Sequence, residues 1–498
     1  MSPSQIIVLA TPVFLLLIAI EYAWGVAKGR NTYRLNDAVN SIGLGMLSQI
    51  SAVLTRLLRV GIYTAVYGWV ALWHNESFWM SWYGWLIALV FYDFCYYWLH
   101  RAGHEVAVFW AAHVVHHQSQ DYNLSTALRQ TSSGALLGWV FYLPMALAGV
   151  PPLVFGIVAL IDLLYQFWVH TEHMGKLGWF DRWFCSPSNH RVHHAVRPVC
   201  GPQLRRHPHR LGPALRQLQG RGRALRLRHT QPAGQLGPAL GQCRGLLGLL
   251  HDSWFARRWS DKLRVWLKPP GWRPADVAER FPKPAFDIAR LQRYDPPAPR
   301  AVLWFGGLHF LTLLGGVVLF LWFADTLPLA ASVVWLAALS AVLWCTGAVL
   351  QGRLTMMEVL FIEAAALSTA CAATGLLELH RLFKPLTMLL AIFLAATVMR
   401  RSPTGLRGAG LLLLALAGSL AGDVFLMVPG YFIPGLVSFL CAHLAYIALF
   451  KRGQPWFPSR PALLIPLGFD AAMYAVLWTG GLPAGLRGPV AAYVLVIA

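Results

Sequence analysis

Charge is scarce in this chain. Only 12% of its 498 residues are Asp, Glu, Lys or Arg, where soluble domains carry about a quarter, which excludes a water-soluble globular protein. Cysteine is scarce as well. The seven Cys are irregularly spaced and form no Cys-x-x-Cys pair, which argues against a disulfide framework and a thiolate metal site alike. Acidic residues number 21 against 41 basic ones, for a formal charge of +20. What abounds is apolar character: 57% of the residues, with 22 Trp and 26 Phe among them.

A positive charge of this size suggests nucleic acid or anionic lipid as a partner, but its distribution points elsewhere. Residues 201–248 hold nine Arg and no Asp, Glu, Lys, Phe, Trp, Tyr, Ile, Val, Met, Asn or Ser, although both flanks use all of these. Codons compatible with residues 201–218, read one nucleotide later, give DRNYGGILIVWDRLFGSF. The same offset over 223–247 permits EPCVYGTRNPLANWDPLWANVEVYW, which runs into the L-L-H-D-S-W at 249–254. The stretch reads as the product of a double frameshift, so its arginines are non-native and nucleic acid is not an expected partner.

Apolar runs of membrane-spanning length stand at about 5–27, 42–73 and 82–99, each near or above the roughly 20 residues a bilayer core requires. The first lacks a basic leader and a small-residue cleavage site, so it reads as an anchor. Lys28, Arg30 and Arg34 follow it and set its C-terminal end in the cytoplasm. Residues 133–169 are long enough for a hairpin, punctuated by Pro144, Pro151 and Pro152. From 251 to 300 the chain is polar and Pro-rich with scattered Trp and Arg, as in an amphipathic segment near the headgroups. Eight further apolar runs follow, near 302–324, 328–350, 357–377, 384–400, 408–428, 432–450, 461–480 and from 487 on. The last stops at Ala498 without a polar tail and is expected to be truncated.

Histidines concentrate where these spans end. His100 and His104 are four apart. His113, His116 and His117 form H-x-x-H-H, His170 and His173 are three apart, and His190, His193 and His194 repeat H-x-x-H-H. Spacings of three and four put two imidazoles on one helical face, and the charge-derived topology sends all four clusters to the cytoplasmic side. Ten imidazoles are too many for one tetrahedral ion and natural for two. Spacing leaves Fe, Zn, Cu and Ni open. Oxidation of an unactivated lipid C–H bond by O₂ calls for a redox metal, which favours two irons.

Four motifs carry a resemblance: Y-D-F-C-Y-Y-W-L-H-R-A-G-H at 92–104, H-V-V-H-H-Q-S at 113–119, H-T-E-H at 170–173 and N-H-R-V-H-H-A at 189–195. They resemble the fatty acid hydroxylase and sterol desaturase superfamily of integral-membrane di-iron enzymes over roughly residues 1–290. The Y-N-L-S-T-A-L-R-Q run at 122–130 and the apolar extension after Arg300 are most similar to its alkylglycerol monooxygenase branch. That resemblance implies oxidation of the carbon beside an ether oxygen, with tetrahydropterin or another electron donor as reductant. It also implies Asp93 and Asn189 as residues that orient imidazoles. Members of the family continue after the last His cluster with D-x-N-Y-G-G and W-D-x-L-F-G-T-F stretches, which this chain lacks as written and its shifted frame nearly supplies.

In the second half, K-P-L-T-M at 384–388, S-L-A-G-D-V-F-L-M at 419–427 and G-L-V-S-F-L-C-A-H-L-A-Y-I at 435–447 resemble the lysoplasmalogenase family, hydrolases of vinyl-ether lipids. Asp423 is an acid inside an apolar helix and hence a candidate catalytic residue, with Lys384 and His443 as candidate ionic partners. A second acidic helix of that family would lie beyond Ala498.

The expected protein is thus an all-α integral membrane bundle with a cytoplasmic, histidine-rich di-metal cap over residues 1–290. An apolar extension at 291–380 and a lysoplasmalogenase-like domain at 381–498 follow. It is expected in a bacterial inner membrane, hydroxylating an ether lipid or fatty acyl chain. Rival readings are a sterol or fatty acid desaturase and a non-catalytic metal-binding membrane protein. Ligands at the ends of spans, rather than at mid-membrane, favour catalysis.

Overall fold

A computed structural model describes residues 2–56, 60–194, 238–283, 294–401, 408–452, 460–481 and 483–497. Most of the 201–248 segment therefore lies outside the described residues. Among those described, regular structure is entirely helical. The chain divides into two compact units, Met1–Leu354 and Thr355–Ala498.

In the first unit, α1 (Pro3–Ala27) starts at a capping box, in which Ser2 accepts from the Gln5 amide and Gln5 accepts from the Ser2 amide in return. The expected 42–73 span is described as α2 (Leu35–Arg56) and α3 (Ile62–Val70), with residues 57–59 between them outside the described residues. α4 (Trp82–Glu105) begins at Ser81, whose hydroxyl accepts from the Gly84 amide at 3.1 Å. One face of α4 presents Leu86, Ile87, Val90 and Phe94 outward. The other buries Ala88, Tyr92 and Cys95 against Tyr142, Met145, Val154, Phe155 and Val158. α5 (Ala107–His113) follows at once.

The expected 133–169 hairpin has one regular arm, α6 (Pro152–Trp168). Its first arm is a series of short turns up to Leu147, consistent with Pro144 lying inside it and Pro151 and Pro152 closing it. α7 (Pro187–His194) carries the last histidine motif. After it come α8 (Pro238–Phe255) and α9 (Trp259–Leu267), the second of them inside the 251–300 stretch. Trp259, Leu263 and Leu267, four apart on α9, are 80%, 69% and 68% exposed, an apolar stripe along one face. α10 (Arg300–Phe323) and α11 (Leu329–Leu350) complete the unit and pack on α2.

The second unit is a bundle of α12 (Met356–Ala373), α13 (Leu377–Arg401), α14 (Ala409–Met427), α15 (Phe432–Phe450), α16 (Arg460–Thr479) and α17 (Ala484–Ile497). α14 and α15 approach closely at Gly418 and Gly422, where a Cβ would meet Ala442 and the Phe439 ring, the small-residue contact that membrane helices use. Among the described residues, eight helices, α1, α2 and α10–α15, are long and apolar enough to cross a bilayer. α4 is not among them, because it is rich in Tyr and Trp and ends in His-Arg-Ala-Gly-His-Glu. The protein is an integral membrane protein.

Candidate metal centre

The histidine motifs come from four separate segments and converge in two tetrads. His100, His104, His113 and His193 form one, and His116, His170, His190 and His194 the other. Within each, one nitrogen per ring lies within 4.8 Å of the rest. Local structure explains the sorting. His100 and His104 share a face of α4, as their spacing requires. α5 ends at His113 and a 3₁₀ turn carries His116 to Gln118, so the H-V-V-H-H motif splits between the tetrads. On α7, His190 and His194 share one face and His193 points to the other tetrad.

His117 belongs to neither tetrad and lies between them. Its Nε2 is 3.0 Å from His113 Nε2, and its ring stacks on His194 with centroids 4.3 Å apart. His173 is also outside both. α6 ends at Trp168, so residues 170 and 173 stand in a turn rather than on one helical face, and the His173 ring rests against Gly25 of α1. Asn189 donates to the Asp181 and Phe184 carbonyls and so holds the turn before α7 rather than an imidazole. Asp93 is exposed, and no hydrogen bond joins it to a ring among the described residues.

The protons of these rings can be located. His116 Nδ1 lies 3.0 Å from the Arg129 carbonyl and His170 Nδ1 lies 2.8 Å from the Gln166 carbonyl. A carbonyl only accepts, so both Nδ1 atoms carry hydrogen. Burial, reinforced by the neighbouring imidazoles, opposes a second proton. It lowers His100 and His116 from 6.5 to about 4 and holds His113, His117, His170, His190, His193 and His194 well below 6.5. The Nε2 atoms of His116 and His170 are therefore bare, yet they face each other at 3.2 Å. Nε2 pairs at 3.1 Å join His190 to His170 and to His194, and His100 to His193 at 3.0 Å. Bare lone pairs at this range repel unless a cation lies between them. Ligands at about 2.0–2.1 Å from a tetrahedral ion stand about 3.3 Å apart, so the donor set fits a divalent metal in each tetrad.

Around the tetrads, Arg129 is 3% exposed and donates to the Val115 carbonyl at 2.7 Å and to Ser41 Oγ at 3.3 Å. Burial brings its guanidinium down to about 10. Glu21 of α1 accepts from the Leu124 amide at 2.8 Å and from the hydroxyls of Tyr33 and Thr171, which ties the anchor helix to the loops that carry His116 and His170. Tyr122 is fully buried on His170 and His194, and Trp110 lies on His104 and His117, so aromatic rings cover both tetrads.

In the second unit, Lys384 Nζ lies 3.0 Å from Asp423 Oδ1. His443 donates instead to the Phe439 carbonyl at 2.7 Å. An open cleft of about 240 Å³ beside this pair is lined by Leu377, His380, Arg381, Lys384, Leu426 and Met427.

Residues 85–201 match the fatty acid hydroxylase family and residues 379–498 the YhhN family. Alkylglycerol monooxygenase of Xenopus tropicalis is 34% identical over 319 residues, which cover 61% of this chain and 68% of that protein. The chain belongs to the alkylglycerol monooxygenase family. Alkylglycerol monooxygenases of Danio rerio and Homo sapiens are each 41% identical, over 38% of this chain and 42% of their own length. No solved structure matches.

Family membership makes the chain an oxidoreductase of the monooxygenase class, and both tetrads fall wholly inside the fatty acid hydroxylase match. Sequence reasoning missed Tyr96 and Gln166, which contact His100 and His170 from one helical turn earlier. For Tyr96 the signal was present, because it stands four residues before His100 on α4 and so shares its face; Gln166 reaches His170 through its main-chain carbonyl, which side-chain spacing does not reveal.

Proposed function

We propose that this chain is a di-iron oxygenase that hydroxylates a lipid C–H bond at the cytoplasmic face of a bacterial inner membrane. Its preferred substrate is an ether lipid of the alkylglycerol type, attacked at the carbon beside the ether oxygen. The observation that carries the reading is the facing pair of bare Nε2 atoms on His116 and His170, 3.2 Å apart with both Nδ1 protons committed to carbonyls. His100, His104, His113 and His193 would hold one iron and His116, His170, His190 and His194 the other, with His117 between them. When bound, iron supplies the O₂ activation and one-electron chemistry that an unactivated C–H bond requires. The overall balance, R–H + O₂ + 2e⁻ + 2H⁺ → R–OH + H₂O, takes its electrons from a donor such as a tetrahydropterin.

The chain's own residues supply orientation and dryness. Carbonyls of Gln166 and Arg129 keep the His170 and His116 protons on Nδ1. Tyr122 and Trp110 keep water from the buried side of the rings, and the exposed stripe of α9 suits contact with the leaflet that delivers a lipid chain. Residues 1–290 form the oxygenase domain in this reading. Residues 381–498 form a lysoplasmalogenase-like domain centred on the Lys384–Asp423 pair, whose own hydrolytic activity is a separate question.

The test is purification of the full chain, and of a form with 201–248 restored to the shifted frame, followed by iron analysis. O₂-dependent oxidation of an alkylglycerol, a free fatty acid and a sterol is then measured with and without tetrahydropterin. About two irons per chain and preference for the alkylglycerol are expected, with His113→Ala and His193→Ala losing iron and turnover together. Full iron and turnover in either variant, or turnover without iron, rejects the assignment.

A further inference from the structure

We propose that Asp162, Gln166 and Tyr96 form a positioning relay that fixes the proton of His100 on Nδ1, and that Gln166 ties the two tetrads together. The inference rests on the metal reading above, because a fixed proton matters only if the other nitrogen is a ligand.

The direction of the relay follows from what each group can donate. Gln166 Nε2 lies 2.5 Å from Asp162 Oδ2, and a carboxylate only accepts, so the amide nitrogen faces Asp162. Gln166 Oε1 must then face Tyr96, whose hydroxyl lies 2.9 Å away and donates to it. With that hydrogen committed, the Tyr96 oxygen has only lone pairs to offer His100 Nδ1, 3.4 Å away. The hydrogen between them belongs to the imidazole. Neutral His100 thus carries its proton on Nδ1 and leaves Nε2 bare, 3.0 Å from His193 Nε2 in the first tetrad.

Gln166 acts a second time through its main chain, because its carbonyl accepts from His170 Nδ1 at 2.8 Å. One residue on α6 therefore sets the tautomer of a ring in each tetrad, by its side chain in one and its backbone in the other. Side-chain replacements should break the first link and spare the second. That asymmetry separates a relay from general loss of packing.

The experiment titrates detergent-solubilised full chain with Fe²⁺, and with Co²⁺ for its ligand-field spectrum, against a competing chelator. The proteins are wild type, Tyr96→Phe, Gln166→Leu, Asp162→Leu and Asp162→Asn. Tyr96→Phe, Gln166→Leu and Asp162→Leu are expected to weaken one metal per chain by about 10–100-fold, the usual effect of removing a partner behind a ligating imidazole. The other metal should stay at wild-type affinity, with the Co²⁺ band of one site altered. Asp162→Asn, which still offers Gln166 an acceptor, should restore both sites. Wild-type affinity and spectrum at both sites in Tyr96→Phe and Asp162→Leu overturn the relay, as does equal weakening of both sites. A wild-type chain that binds neither metal overturns the metal reading and the relay with it.

Discussion

Replacing Gly45 by alanine is a remote perturbation with a calculable reach. Ser41, Gly45 and Ser48 lie along one face of α2 and grip the loop that ends the Y-N-L-S-T-A-L-R-Q motif. Ser41 Oγ receives Arg129 Nη1 at 3.3 Å and Ser48 Oγ donates to the Thr131 carbonyl at 2.9 Å. Between these contacts a Cβ on Gly45 would stand 2.3 Å from the Leu128 carbonyl oxygen. Backbone cannot rotate away as a side chain can, so the loop must retreat by about 1 Å to reach van der Waals contact. Overpacking of this kind costs about 1–3 kcal/mol of stability.

The next carbonyl along is that of Arg129, which holds His116 Nδ1 at 3.0 Å. A retreat of about 1 Å takes it beyond hydrogen-bond range, freeing the His116 proton to move to Nε2, where it blocks a ligand position. Gly45→Ala should therefore lower the affinity of the second tetrad by about 10-fold or more, without touching any histidine. Chelator competition and thermal unfolding in detergent measure the two effects. Gly68→Ala is the control, because a Cβ there meets nothing within 4 Å. If Gly45→Ala is indistinguishable from Gly68→Ala in both assays, the argument that backbone carbonyls set the tautomers fails.

His173→Ala should retain both metals, in contrast to His170→Ala, since the His173 ring rests on α1 outside the tetrads; equal metal loss in the two variants would restore His173 as a ligand. Acid should destabilise the metal-free protein. Above pH 6.5 the rings are neutral whether folded or unfolded, and between 6.5 and about 4 the unfolded chain takes up protons that buried His100 and His116 refuse. Stability is thus present above 6.5 and lost as pH falls toward 4, by on the order of 3 kcal/mol per ring; a thermal midpoint that is flat from pH 8 to pH 5 contradicts this. Finally, resequencing the gene should reveal small indels near codons 200 and 248, and an intact frame there dismisses the frameshift.

The parts of the fold legible in the sequence are those the bilayer dictates. A lipid-facing helix must be apolar throughout and satisfy its own backbone, so the runs at 302–324, 328–350 and 432–450 coincide nearly with Arg300–Phe323, Leu329–Leu350 and Phe432–Phe450. The short turns that make up the first arm of the 133–169 hairpin were not legible, because hydropathy averages over a window wider than the few residues that interrupt a helix. Near the candidate metal centre the same limitation takes another form. Spacing identified ten imidazoles but assumed unbroken helix through each motif. Helices end at His113 and at Trp168, so one motif is shared between two tetrads and another delivers only His170.

The residues behind the two tetrads follow a simpler rule, and this limits how they can evolve. Tyr96 precedes His100 by four positions on α4, and Gln166 stands on α6 four positions before His170, which lies beyond the end of that helix. His170 lies just past the end of α6, where its own amide turns to the Phe167 carbonyl and the Gln166 carbonyl takes the Nδ1 proton. A tautomer set by backbone tolerates any side chain that keeps the helix, whereas one set through Tyr96 depends on an aromatic hydroxyl and on the amide behind it. The second tetrad should accordingly survive side-chain substitution at 166 and fail on displacement of α6, while the first should fail at a single hydroxyl. Any pair of Tyr96 and Gln166 substitutions should weaken the first site no more than either alone, because both remove the same acceptor from His100. Additive losses in the double variant would mean that the two residues act on the metal centre separately.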